Sequence, residues 1–299
     1  MPAWEGKTRG NRFGYRFFIF ILKYLGIRFT YLFLHFVVTY FFFFTGKERN
    51  AIYRYYRKIL KKGKMASVAG VYRNFYTLGQ ILIDKVALLS GFHTRFKFDF
   101  DGENYLYQMI KKGSGGMLIG AHMGNWEVAG QLLDRVTTRV NIVMLDAEHE
   151  RIKSLLEEVI KRHEVKIIPI KDDLSHLIAI RNALQNNELV SIHGDRFMEG
   201  SKTVETVVAG EKATLPLGPF LLATKYRKPV TFVMAAREKG FHYHFTATPP
   251  RVYAAPSDRK KENTALQQII TDYSLWLEEK IMRYPHQWFN YFPFWDEQG

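Results

Sequence analysis

The N-terminal third of the chain has the hydrophobic pattern of helices. Residues 17–44 are almost continuously apolar and aromatic. The only charged residues in that stretch are Lys23 and Arg28. Residues 52–60 and 68–89 then carry apolar side chains at helical spacing, with cationic residues between them. We therefore predict that residues 13–90 are entirely helical.

Beyond residue 93 the pattern changes to short strands and helices in alternation. Residues 95–100 alternate strictly between polar and apolar, which predicts a strand with one wet face. Further strands are predicted at 116–121, 140–144, 165–170, 189–193, 229–235 and 243–248, with an extended piece at 203–208. Helices are predicted at 104–112, 125–136, 148–163, 174–185, 216–226 and 263–283. We expect strands 229–235 and 243–248 to pair at the edge of the sheet, followed by a loop over 249–261.

The alternation predicts an α/β fold built from βαβ units. Its sheet should be mixed but largely parallel and flanked by helices. We divide the chain into an N-terminal helical membrane-attachment region, residues 1–92, and an α/β domain, residues 93–299.

The apolar N-terminal stretch predicts membrane attachment. Residues 29–44 hold no charged side chain, and sixteen helical residues rise about 24 Å, less than a hydrocarbon core of roughly 30 Å. Cationic residues flank the stretch on both sides, whereas a single span should show an asymmetry of charge. We therefore favour a helix that lies in, or dips into, the cytoplasmic face of a membrane. A tilted span and a buried soluble helix are the alternatives, and the stretch is too long for a cleaved signal peptide.

The composition of the chain limits the classes of partner that we expect it to bind. The formal net charge is +14, so an anionic partner is expected: nucleic acid, an anionic membrane surface or an acidic carrier protein. The cationic residues cluster beside the apolar stretch and form no nucleic-acid-reading motif, so we do not expect nucleic-acid binding. The chain has no cysteine, which excludes disulfides, thiolate nucleophiles and cysteine-based metal sites.

A histidine and a glutamate lie five positions apart at a predicted junction of strand and helix. His122 follows the strand at 116–121, and Glu127 falls in the first turn of helix 125–136, with Asn125 as its predicted N-cap. Chemistry in open α/β sheets lies beyond the carboxyl ends of the strands. A carboxylate that holds one ring nitrogen leaves the other free as a general base. We predict this role for His122 and Glu127; the alternative is an ordinary histidine hydrogen-bonded in a turn.

Two further segments are candidates for binding. His193-Gly194-Asp195-Arg196 follows another strand, so Arg196 is a candidate phosphate ligand that Asp195 would hold, and Glu199 is within reach of this loop. An ordinary Asp–Arg pair at a loop mouth is the alternative. Residues 210–219 precede a predicted helix and are rich in Gly and Pro. This composition fits a wall for an acyl chain, an anion site at the helix N-terminus or an ordinary loop.

Several motifs are missing from the sequence. It contains no G-x-S-x-G, no P-loop, no G-x-G-x-x-G and no H-E-x-x-H. These absences argue against a serine-triad lipase and leave nucleotide binding without support. The helical histidines His149, His163 and His176 lack metal-ligand spacing, so no metal site is predicted.

Four of these motifs together resemble the bacterial lipid A late acyltransferases of the lauroyl and myristoyl transferase type. The motifs are Gly120-Ala121-His122-Met123-Gly124-Asn125-Trp126-Glu127, Gly194-Asp195-Arg196, Pro216-x-Gly218-Pro219 and Tyr284-Pro285-x-Gln287-Trp288. Their order and spacing match from about residue 13 to residue 295. Acyltransferases acting on phosphatidylinositol mannosides, aminolipids and pigments are similar, so the resemblance is specific to the superfamily and not to the acceptor.

The resemblance implies an enzyme at the cytoplasmic face of a bacterial inner membrane, with no metal or redox cofactor. It would move a fatty acyl group from acyl carrier protein, or from coenzyme A, to a lipid hydroxyl, with a lipid A precursor as the named acceptor. His122 would be the base and Glu127 its partner. The residues expected to contact substrate are Asn125, Trp126, Asp195, Arg196, Glu199 and Gly218.

Two other functions stay open at this point. One keeps the chemistry but changes the acceptor to an aminolipid, a lysophospholipid or a polyene pigment. The other is a basic membrane-surface binding protein without catalysis.

Overall fold

The structure is a computed structural model that describes residues 12–89, 96–125, 138–145, 165–171, 173–253 and 259–295. Its helices are α1 (Arg12–Phe44), α2 (Gly46–Arg54, continued by a π-helical turn at Tyr55–Ile59), α3 (Lys64–Leu89), α4 (Glu103–Lys111), α5 (Ser175–Gln185), α6 (Gly218–Tyr226) and α7 (Arg259–Arg283). Its strands are β1 (Lys97–Asp101), β2 (Gly116–Gly120), β3 (Val140–Leu145), β4 (Val165–Ile170), β5 (Leu189–His193), β6 (Thr203–Val208), β7 (Glu211–Pro216), β8 (Pro229–Arg237), β9 (His242–Ala247) and β10 (Arg251–Val252).

Within the described residues, eight strands form one sheet in the order β1-β9-β8-β2-β5-β3-β4, with β10 paired to β8. Most neighbours run parallel, and β9 and β10 run antiparallel to β8. The central strand β2 is buried along its whole length, as expected for a strand covered on both faces. The predicted α/β fold with a mixed, largely parallel sheet is confirmed.

The sheet differs from the sequence interpretation at its end. Strands β8 and β9 do pair, but they are not the edge, because β9 also pairs with β1 on its other side. At this end of the sheet the edge strand is β1, whose alternating exposure confirms its predicted wet face. The loop predicted over 249–261 is also too long: β10 lies within it, and α7 begins at Arg259. The predicted helices at 125–136 and 148–163 lie outside the described residues, apart from the buried Asn125.

Residues 211–216, within the Gly- and Pro-containing segment 210–219, form a strand that the sequence did not predict. Strand β7 pairs antiparallel with β6, from Val208 opposite Glu211 to Thr203 opposite Pro216. Its residues 213–216 are buried, so this stretch packs in the protein interior, and only its end leads into α6.

The N-terminal region is helical, as predicted, with interruptions at Thr45 and at residues 60–63. Helix α1 lies against α3 with one side: Leu22, Thr30 and Leu34 are at most 4% exposed. Its other side is exposed and apolar, and includes Phe36 at 71%. Helical geometry breaks at Gly26 (φ 79°, ψ 169°). Among the described residues, Phe20–Phe44 is the one helical stretch apolar and long enough to cross a membrane.

The main apolar core joins both sides of the predicted boundary at residue 92. Ile52 and Tyr55 of the N-terminal helices belong to the same buried cluster as Ile119 of the sheet and Trp288 of the C-terminal tail. The N-terminal region therefore packs on the sheet through buried side chains. The division into two domains stays a prediction.

Candidate active site

Strands β2 and β5 bring His122 and Asp195 together. They are parallel neighbours, and Gly120 lies opposite His193 in the register. The residue two positions beyond each of these therefore emerges at the same edge of the sheet. The amide of Gly194 also donates to the carbonyl of Gly120 at 2.9 Å, which joins the two loops where they leave the strands.

Asp195 holds the His122 ring through one oxygen and its backbone through the other. Oδ1 lies 2.7 Å from His122 Nδ1, and Oδ2 accepts from the His122 amide at 3.0 Å. The His122 side chain is 20% exposed, whereas that of Asp195 is 0% exposed. Since a carboxylate only accepts, Nδ1 carries a proton, and in the neutral imidazole Nε2 then has a lone pair. The imidazole thus has the tautomer and the access that a general base needs.

The electrostatic setting keeps Asp195 ionised. Burial alone would raise the pKa of Asp195, but the charge of and hydrogen bond from His122, together with nearby Arg196, lower it well below its usual range. The carboxylate is therefore available to stabilise an imidazolium on His122.

The C-terminal tail fastens both loops from the other side. Trp288 Nε1 donates to Asp195 Oδ2 at 3.2 Å, and the Phe289 amide donates to the His122 carbonyl at 2.9 Å. Arg196 Nη2 donates to the carbonyl of Phe289. The Gly124 amide donates to the Gln287 carbonyl at 3.0 Å. The tail therefore contacts His122, Asp195 and Arg196 directly.

Gly124 fits its place only as glycine. Its φ is +59°, and a Cβ there would lie 1.9 Å from the carbonyl oxygen of Ala235. The same carbonyl accepts from the amide of Asn125 at 2.8 Å, so the loop after His122 lies directly on strand β8.

Of the other predicted site residues, one is buried, two are exposed and two lie outside the described residues. Asn125 is 1% exposed, and its Nδ2 lies 3.4 Å from the Tyr243 hydroxyl. Glu199 and Gly218 are exposed, in the loop after Arg196 and at the first residue of α6. Trp126 and Glu127 lie outside the described residues. The substrate roles of Asn125, Trp126, Glu199 and Gly218 stay predictions, as does the pairing of Glu127 with His122.

The contacts of Asp195 differ from those inferred from the sequence, and its role in binding the acceptor stays a prediction. It was expected to contact the acceptor and to hold Arg196. With its side chain 0% exposed and both oxygens bonded to His122 and Trp288, it lies behind the imidazole. Arg196 is close enough to lower the pKa of Asp195, while its Nη2 donates to the tail.

Sequence reasoning missed two contributors to this site. The sequence identifies His193 only as the start of a loop, yet its Nδ1 lies 3.4 Å from His122 Nε2. Trp288 was noted only as part of a motif. The signal for His193 was its position at the end of a strand beside the one that leads to His122. No group of three or more His, Asp or Glu side chains suited to a metal occurs in the described residues.

Comparisons with known proteins identify the family of the chain. The chain matches the family described as "Bacterial lipid A biosynthesis acyltransferase" over residues 10–295. One similar solved structure is the 1-acyl-sn-glycerophosphate acyltransferase of Thermotoga maritima, at 13% identity and a TM-score of 0.37, over 82% of this chain and 97% of that one. The search of curated protein sequences gave no match. Because the family match covers nearly its whole length, the chain belongs to the bacterial lipid A biosynthesis acyltransferases, enzymes that transfer acyl groups.

Proposed function

We propose that this enzyme moves a fatty acyl group from a thioester to a hydroxyl of a glycolipid, a lipid A precursor, with His122 as the general base. The observation that carries the proposal is the 2.7 Å contact between His122 Nδ1 and Asp195 Oδ1, which leaves Nε2 as the basic nitrogen. The non-catalytic alternative is wrong, because the chain belongs to a family of enzymes.

We propose a direct transfer, in which no acyl-enzyme forms. Nε2 takes the proton of the acceptor hydroxyl while the oxygen attacks the thioester carbonyl. The carbon–oxygen bond forms, the carbon–sulfur bond breaks, and the departing thiolate takes the proton back from Nε2. A thioester has a good leaving group, so positioning and a general base are the main needs, worth about 7–11 kcal/mol and roughly 10²–10⁴-fold.

Asp195 is the partner of His122 in this proposal. It fixes the Nδ1–H tautomer and stabilises the imidazolium that forms. Glu127 is retained as a second carboxylate that acts on the base, and Arg196 as a cation near developing negative charge. Asn125, Trp126, Glu199 and Gly218 are proposed to line the acceptor and acyl sites.

The net charge and the surface of α1 support our proposals for the donor and the location. A net charge of +14 suits an anionic donor, which we propose to be an acidic acyl carrier protein; coenzyme A, with its phosphate groups, is the alternative. The exposed apolar side of α1, next to cationic residues of α2 such as Lys47 and Arg54, suits attachment to an anionic membrane. We propose the cytoplasmic face of the bacterial inner membrane.

The test is His122→Ala, compared with His242→Ala. His242 lies 2.7 Å from Asp99 on the edge of the sheet, the same pair at the same distance but away from the site. Transfer from a dodecanoyl thioester to a lipid A precursor should fall by roughly 10²–10⁴-fold in the first variant only. Unchanged transfer in His122→Ala would refute the assignment. Transfer to an aminolipid, lysophospholipid or pigment in place of the lipid A precursor would refute the acceptor alone.

A further inference from the structure

A second histidine lies directly against the basic nitrogen of His122. His193 is the last residue of β5, and its ring centroid lies 4.4 Å from that of His122, with the ring planes at 66°. Its Nδ1 is 3.4 Å from His122 Nε2, the atom that would take the acceptor's proton. Any hydroxyl that reaches Nε2 must therefore also come close to His193.

The hydrogen bond of His122 determines which proton lies between the two rings. His122 gives its Nδ1 proton to Asp195, so its Nε2 presents a lone pair. Two lone pairs facing each other would repel, so His193 carries its proton on Nδ1. At 3.4 Å this contact is longer than the usual 2.7–3.2 Å of an N–H donor. A contact of this length can be exchanged for a shorter hydrogen bond to an acceptor oxygen.

We propose that His193 is a catalytic residue that binds the acceptor hydroxyl, donating from Nδ1 to its oxygen while the hydroxyl proton points to His122 Nε2. The inference rests on the proposed acyl transfer. The proton moves only between the hydroxyl, His122 and the leaving thiolate. His193 keeps its own proton throughout and stabilises the negative charge that develops on the oxygen.

His193 is suited to this role because it stays neutral. Burial, and then the positive charge that His122 carries once it is protonated, lower the pKa of His193 to about 3. At neutral pH it therefore donates a hydrogen bond without adding a charge that would oppose protonation of His122.

The surroundings fix the position of the His193 ring. A Cβ on Gly120 would lie 3.3 Å from His193 Cδ2, so the strand beside the ring has little room for a side chain. The Tyr273 hydroxyl donates to the Gly120 carbonyl at 2.9 Å and holds this strand end in place. A donor held in advance needs no reorganisation when charge develops on the acceptor oxygen.

The test compares two amides at position 193. In His193→Asn the amide nitrogen is as far from Cβ, in bonds, as Nδ1, whereas in His193→Gln it takes the place of Nε2. We expect transfer from a dodecanoyl thioester to a lipid A precursor to stay within about fivefold of wild type in H193N. In H193Q kcat should fall roughly 10²-fold, the loss typical of one removed oxyanion donor.

The outcomes separate this inference from the proposed function. Full activity in His122→Ala overturns the proposed function. An inactive His122→Ala with H193N and H193Q equally active, equally impaired, or in the reverse order overturns the role of His193 alone. Nitrogen NMR of ¹⁵N-histidine-labelled wild-type protein tests the tautomer without any variant: a proton on Nδ1 of His193 is expected, and a proton on Nε2 alone overturns the inference.

Discussion

The two histidines of the site have different roles in proton transfer. His122 gains a proton in the proposed reaction, whereas burial and the charge on His122 lower the pKa of His193 to about 3. A histidine in an unfolded chain titrates near pH 6.5. Between about pH 6.5 and pH 3, therefore, the unfolded chain binds a proton at residue 193 that the native protein does not. Native stability falls as the pH decreases through this window.

We predict that His193→Asn makes the fold less sensitive to acid. From about pH 7 to about pH 4.5, the melting temperature of wild type should fall further than that of H193N, because the variant lacks this protonation. Calorimetry at a series of pH values measures the difference. His242→Asn, which changes a histidine that is partly exposed beside Asp99, is the control and should follow wild type. Parallel curves for wild type and H193N would contradict the prediction.

At the scale of elements, the tail after α7 holds the site together. Gln287 bonds the Arg237 backbone on both sides, through its Oε1 at 2.8 Å and its Nε2 at 2.7 Å, and so attaches the tail to the end of β8. From α3, Asn74 Nδ2 donates to the Trp288 carbonyl at 2.9 Å. The tail is thus fixed between a helix and the sheet, and it presents the Trp288 indole to Asp195.

We predict that Trp288→Phe slows acyl transfer while the fold remains. The phenyl ring keeps the packing against Phe294 but loses the N–H donor to a buried carboxylate, and hydrogen bonds to charged groups contribute about 1.5–3 kcal/mol. We expect kcat to fall on the order of tenfold, with a smaller change in KM, because Trp288 acts through Asp195.

The control is Trp295→Phe in the same aromatic cluster. Trp295 packs on Trp288 and Tyr55, but its Nε1 donates to the Val208 carbonyl at 2.9 Å and not to Asp195. The kcat of the Trp295→Phe variant should stay within about twofold of wild type. Equal rates in the two variants would show that the indole acts on packing alone.

Most elements could be predicted from periodicity, and the hairpin shows where this fails. The turn between β6 and β7 has Ala209 at φ 55° and Gly210 at φ 79°, as a two-residue hairpin turn requires. The usual signal is Asn-Gly or Asp-Gly, because alanine rarely adopts a positive φ. With alanine in the first position, the sequence carried only half of that signal.

Only part of the site could be predicted from the sequence, because the rest depends on more than local sequence. His122 could be identified from its place after a strand, which depends on local sequence. Its contact with Asp195 depends on β2 pairing with β5, with Gly120 opposite His193. Strand order and register arise from packing across the whole sheet, so local spacing pointed to Glu127 instead.

At the scale of the whole molecule, a buried ionic network connects the N-terminal helices to the sheet. Asp84 of α3 is 0% exposed and accepts from Arg237 Nε at 2.9 Å, from the Tyr243 hydroxyl at 2.6 Å and from the Tyr31 hydroxyl of α1. Tyr243 also contacts Asn125, three residues after His122. Separating α1 from the sheet would remove the Tyr31 hydroxyl from the buried carboxylate of Asp84, and the loss of a hydrogen bond to a buried charge is costly. The helix that faces the proposed membrane therefore has a fixed position relative to the site.

We predict that the exposed side of α1 binds the membrane as part of this fixed unit. Phe36 and Phe43 are 71% and 66% exposed, lie about two turns apart, and each gains about 1.5–3 kcal/mol on burial in an apolar phase. Phe36→Ser with Phe43→Ser should weaken cosedimentation with anionic vesicles at least tenfold, a change of about 1.4 kcal/mol, at unchanged melting temperature.

The matched control is Ile178→Ser on α5, where an exposed apolar side chain (64%) lies away from α1. This variant should bind vesicles like wild type. Binding of wild type should also weaken as salt is raised, because part of it comes from a net charge of +14 screened over about 10 Å at 0.1 M. If the Phe36/Phe43 variant binds like wild type, or Ile178→Ser loses as much, then α1 is not the face that meets the lipid, and the lipid acceptor must reach His122 from another side.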